Sequence, residues 1–279
     1  MSEIDALITL LDDEDHSIAV MAMEKLLENE EFIKTEMPRL QESDNPVIRE
    51  RIHQMESIIV QKEKKETFLN SLDKDNLSLL DGLFFMNQFF YDDLRLSSIT
   101  ERISKIVASL SSKDCGSLDL INYMRKEAYS SPKTDVLDLD YFLIDDALEN
   151  KIAHSVLLCM LAREIADRLG IALIVVLYKG RHCLIDTKDH FIDPVKNWKV
   201  ETLEDTIKVY PCTNRDLLLT VLSQLYLSCM VDGQLKVIYQ LTEMMTFLSG
   251  KSLEDMPFPL GLGDNFDEEN SDEEGSGTE

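Results

Sequence analysis

The chain is short of positive charge. Its 279 residues carry 28 Lys and Arg against 53 Asp and Glu, a formal net charge of −25. Nucleic acid and anionic membrane surfaces are both gripped first by cationic side chains, so the shortage argues against either as a partner. Part of the imbalance is local, because residues 254–279 hold ten acids and no Lys or Arg, yet the remainder still sets 28 bases against 43 acids. Long apolar runs are also missing. None approaches the roughly 18 residues of a membrane span, and the opening MSEIDALITLLDDEDH has no cationic stretch ahead of an apolar one. A cytoplasmic protein is expected. Cysteine is scarce and odd in number: Cys115, Cys159, Cys183, Cys212 and Cys229 are scattered, mostly inside apolar runs, without a CxxC pair or a His/Cys cluster. That usage suits reduced, buried thiols better than a disulfide framework and gives no support to a metal site. Neither a metal nor a cofactor is expected.

What remains is 44% apolar and 29% charged, the balance of a globular chain long enough for one or two domains. Leu7, Leu10, Leu11, Ile18, Met21, Ala22 and Leu26 fall at helical spacing around the acidic turn DDEDHS. DEDHSIAVMAMEKLL is echoed about 30 residues later by ESDNPVIRERIHQMESII. Over residues 1–66 this resembles a pair of HEAT-type repeats, with a plain helical bundle as the other reading. Lys62 to Glu66 reads as a charged helical joint. LSLLDGLFFMNQFF predicts a buried helix, and 99–110 and 118–129 two amphipathic ones. A central helix over 153–169 stops at Gly170, IALIVVLY follows as an inner strand, and RHCLID and HFI form two shorter strands around a TKD turn. Residues 216–230 and 235–248 return to helical period as a tetratricopeptide-sized hairpin within 211–253. The segment 254–279 has too little apolar surface to offset ordering entropy and is expected to be a disordered acidic tail. The fold class is α+β, mostly helical, with a small antiparallel sheet.

One constellation carries chemistry. A hydroxyl near a helix N-terminus (Ser155), a histidine on a following strand (His182) and an aspartate on the next (Asp193) are the parts of a nucleophile, base and orienting acid. DYFLIDDALENKIAHSVLLCMLAREIADRLGI, followed by YKGRHCLID and HFIDP, resembles the transglutaminase-like core of bacterial regulators of the Sir-B type. Leu143, Ala147, Leu148 and Glu149 match that family's entry segment, and Arg168, Leu169 and Gly170 its helix end. Gly180 and His182, with one residue inserted, match its histidine strand, and Ile192, Asp193 and Pro194 its aspartate strand. The resemblance implies a papain-like core over 67–210 in a bacterial protein. It also implies a departure: active transglutaminases place their cysteine where this chain has Ser155, and Ala153 to Val156 replaces the family's Gly-Ile-Pro-Ile. Cys159, one turn further in amid VLLCML, should be protonated and inert.

Ser155, His182 and Asp193 are therefore read as vestigial triad positions, with His154, Tyr178 and Trp198 as candidate binding residues around them. His190 is expected to be exposed in its turn. A non-catalytic module that binds a protein or peptide partner is the leading reading. The alternative is a peptide or amide hydrolase, or an acyl transferase, using Ser155, His182 and Asp193. A third reading, a chaperone that takes basic partners through the acidic tail, accounts for those last residues only.

Overall fold

The computed structural model describes residues 3–72, 78–91, 94–111, 115–133, 137–202 and 208–251. The acidic tail expected over 254–279 lies outside them. The chain begins with four helices, α1 (Glu3–Leu10), α2 (His16–Glu28), α3 (Glu30–Gln41) and α4 (Pro46–Leu72). Asp15 starts α2 by accepting the Ser17 amide, which satisfies one of the unpaired N–H groups at a helix start. Leu11, Leu26, Ile33, Ile52 and Met55 bury a small core of their own between these helices. The charged joint at 62–66 is ordinary helix within α4, and Phe68, two residues past it, already belongs to the second and larger core.

That larger core is organised around one helix. After α5 (Leu79–Asn87), α6 (Leu96–Leu110) and α7 (Ser117–Lys126), a 3-10 turn at Leu139–Phe142 and α8 (Ile144–Asn150) lead into α9 (Ser155–Leu169). Every residue of α9 from Ser155 to Ala162 is buried, as its nearly unbroken apolar sequence requires. It ends where Gly170 takes the left-handed conformation, φ 72°, and donates its amide to the carbonyls of Ala166 and Asp167. Five antiparallel strands follow: β1 (Leu173–Tyr178), β2 (Arg181–Asp186), β3 (His190–Asp193), β4 (Lys199–Thr202) and β5 (Tyr210–Pro211), in the order β4-β3-β2-β1-β5. The helices α10 (Asn214–Asp232) and α11 (Leu235–Ser249) form the terminal hairpin. Leu217, Leu222 and Leu241 share one continuous cluster with α5 and α9, so the hairpin and the sheet-bearing segment bury a common core. The fold is α+β, mostly helical, with one small antiparallel sheet. Among the described residues no helix is long and apolar enough to cross a membrane.

The two faces of the sheet differ. Val175, Leu184 and Ile192 stand opposite one another across three strands and join the core that contains α9. Val176, Cys183 and Phe191 point the other way and make a separate small cluster. Side chains alternate along a strand with period two, so these pairs fix the side on which every other strand residue lies.

Candidate functional site

A cavity of about 330 Å³ opens at the N-terminus of α9. Its polar wall is made by His154, Ser155, Arg181 and Gln224, and its apolar wall by Pro132, Leu137, Phe142 and Val195. The residue before the helix, His154, acts as its cap: Nδ1 accepts the Val156 amide at 3.4 Å, and the ring lies 5.1 Å from that of Phe142. Acceptance at Nδ1 places the proton of the neutral ring on Nε2. Ser155 occupies the first turn, 2% exposed, with its flank on the cavity. Cys159 is fully buried, and the loss of solvent raises its thiol well above the ordinary value, with Cys183 and Asp193 adding to the effect. Such a thiol is protonated and unreactive at neutral pH.

His182 and Asp193 are not a pair. Leu184 lies opposite Ile192, so His182, two residues before Leu184, faces α9, while Asp193, one residue after Ile192, faces the other side with Phe191. Asp193 is 1% exposed and its carboxylate is held by Arg181, Nη2 to Oδ2 at 3.0 Å, with Oδ1 accepting the Val195 amide at 3.0 Å. His182 has a buried Nδ1 with no hydrogen-bond partner. Burial, and then the neighbouring His154, push its imidazole down to about 4. The ring is neutral at pH 7, and among the described residues no carboxylate orients it.

Two further expected site residues lie elsewhere. Tyr178 does not line the cavity. Its ring packs edge-on against Phe191 on the far face of the sheet, 5.2 Å between centroids, with the Arg181 guanidinium 5.9 Å from its centre. Trp198, expected as a binding residue, is 0% exposed, and its Nε1 donates to the Tyr129 carbonyl at 2.6 Å. It is a core residue. His190 is half-buried instead of exposed, with Nδ1 2.9 Å from Asp186 Oδ2.

Sequence reasoning passed over Asp186, a well-connected carboxylate at the end of β2 away from the cavity. Its oxygens take hydrogen bonds from Ser117 Oγ, from the amides of Lys188 and His190, and from the His190 ring. Burial alone would raise this carboxyl, but those bonds outweigh it and bring it down to about 2. The signal lay in the string DTKDH, where an aspartate ahead of a tight turn is placed to accept the amide two residues on. It fastens the β2–β3 turn to α7. Among the described residues no group of three His, Cys, Asp or Glu side chains is placed to hold a metal ion.

No protein-family model matches the chain, and no curated protein or solved structure matches it either.

Proposed function

We propose that the chain is a non-catalytic interaction or regulatory module, a transglutaminase-like core with a degenerate site, whose cavity beside Ser155 receives part of a protein or peptide partner. The observation that supports this best is the orientation of Asp193. A serine nucleophile needs an imidazole base, and the base needs a carboxylate to fix its tautomer and stabilise its cation. Here the carboxylate is on the opposite face of the sheet and engaged by Arg181. The imidazole, pushed down to about 4, is a poor proton acceptor for a hydroxyl. The sequence resemblance supports the same reading, since the residue at the family's cysteine position is Ser155. The hydrolase or acyl-transferase alternative requires a base that this arrangement does not supply.

The test is covalent labelling of the full chain with a fluorophosphonate and, in parallel, a thiol-directed probe, each read by intact mass and peptide mapping. Ser155 and Cys159 should remain unmodified. Labelling of Ser155 that disappears in His182→Ala would establish an activated nucleophile and replace the binding reading with the hydrolase.

A further inference from the structure

We infer that the acidic segment 264–279 docks on the cationic end of the sheet's outer face, at Lys179, Lys196 and Lys199 of the same chain; the inference goes beyond the binding-module reading and stands without it. The antiparallel order brings the end of β1, the start of β2, the end of β3 and the start of β4 to one edge, with Tyr178 opposite Arg181 and Asp193 opposite Lys199. The side chains named lie on the face away from α9. Lys179 Nζ and the Arg181 guanidinium lie 5.2 and 5.9 Å from the centre of the Tyr178 ring, and Lys196 Nζ is 4.0 Å from Asp193 Oδ2. Lys199 pairs with Glu201, whose carboxyl is held below its ordinary value by that bond and by the charges of Lys199, Lys196 and Arg181. Elsewhere a base commonly faces an acid of its own, as Arg102 does Asp145, Lys151 does Glu127 and Arg168 does Glu164. Here four cations share Asp193 and Glu201, and Asp193 is buried while the three lysines are exposed. In a chain of net charge −25 this edge is left positive.

The chain carries its own counterpart. Residues 264–279 hold eight acids and no Lys or Arg. The connection is also long enough. Helix α11 closes beside the start of α10, where the Arg215 guanidinium donates to the Phe247 and Leu248 carbonyls, and α10 follows β5, whose Pro211 stands opposite Val176 of β1. Even with every step extended and in line, the path along these contacts from Lys251 to Lys179 is about 50 Å, and the chain from Lys251 to Ser271 spans up to about 65 Å. Exposed ion pairs are individually weak, but a segment tethered to the same chain meets its site at an effective concentration of the order of millimolar, so several such pairs together hold it. Gly180, Arg181 and Val195 also line the cavity at the start of α9, so the docked segment lies along one side of its mouth.

The experiment is paramagnetic relaxation in the ¹⁵N-labelled full chain, with a nitroxide on Ser271→Cys after the two partly exposed thiols are removed by Cys115→Ser and Cys212→Ser. The amides of 178–181 and 195–200 should lose most of their intensity at about 0.01 M salt, where charges are felt over about 30 Å, and recover it at about 1 M, where the range is about 3 Å. Changing the three exposed lysines together, Lys179→Gln, Lys196→Gln and Lys199→Gln, should abolish the broadening at low salt without disturbing the fold. A mixture of spin-labelled ¹⁴N chain and unlabelled ¹⁵N chain should show none. Absence of selective broadening at low salt, its survival in the lysine variant, or equal broadening in the mixed sample would overturn the inference. None of these results touches the binding-module reading, which fails on labelling of Ser155.

Discussion

Two titrating side chains of β2 have depressed values with different consequences. His182, pushed down to about 4, binds its proton less readily in the folded than in the unfolded chain. The stability it contributes is therefore complete above the ordinary histidine value near 6.5 and declines as pH falls from there to about 4. Measured by NMR, its imidazole should titrate near the lower figure. Asp193→Asn should leave that midpoint in place, because Asp193 faces the other side of the sheet; a clear drop would show that the two groups are coupled after all. Asp186, brought down to about 2, contributes stability that is complete above about pH 4 and lost as the carboxyl protonates between there and 2. Asp186→Asn should cost about 1–2 kcal/mol at pH 7 and flatten the acid limb of the denaturant midpoint against pH. His182, Asp193 and Ser155 could be picked from the sequence, but their mutual orientation could not. A strand pattern gives faces only once its pairing is known, and a shift of one residue exchanges them. Trp198 was misplaced for a related reason: in DPVKNWKV it is surrounded by polar residues, and only the fold brings the Tyr129 carbonyl to its indole N–H.

Elements with strong periodicity were legible, and those with little apolar content were not. The central helix α9, the inner strand β1 and the terminal hairpin announce themselves by unbroken or regularly spaced apolar residues. Strand β4, KVET, has one half-buried apolar residue, Val200, and is recognisable only by its pairing with β3. Helix α3 buries Ile33, Met37 and Leu40 at helical spacing, but Pro38 interrupts the string and hides it. Helices α10 and α5 approach closely at Gly82: a methyl added there would lie 2.5 Å from Leu218 Cδ2, and Leu218 is 1% exposed. Gly82→Ala should therefore destabilise by about 1–2 kcal/mol despite alanine's better helix propensity, a loss read from the chemical denaturation midpoint. A gain in stability would show that Leu218 can move aside.

Among the described residues the chain buries two large helical cores beside the small cluster on the outer face of the sheet, and it runs one helix through both large ones. Ile52, Met55 and Ile59 of α4 belong to the N-terminal core and Phe68 to the main one. Met55→Ala should cost about 2–4 kcal/mol. Hydrogen exchange should show the loss in α1 to α3 and the first turns of α4, with α9 amides unchanged; equal acceleration in α9 would mean that the two cores unfold as one. At about 1.5 Å per residue the 27 residues of α4 form a rod of about 40 Å, and the charged stretch at 62–66 that looks like a seam in the sequence lies inside it. Gene rearrangement at that seam would hand each descendant half a helix with its backbone amides or carbonyls bare. A break before Pro46 would keep α4 whole but strip Ile52, Met55 and Ile59 of their partners in α1 to α3, so a lineage that swapped its first three helices would have to bring ones that fit the face of α4 it inherits.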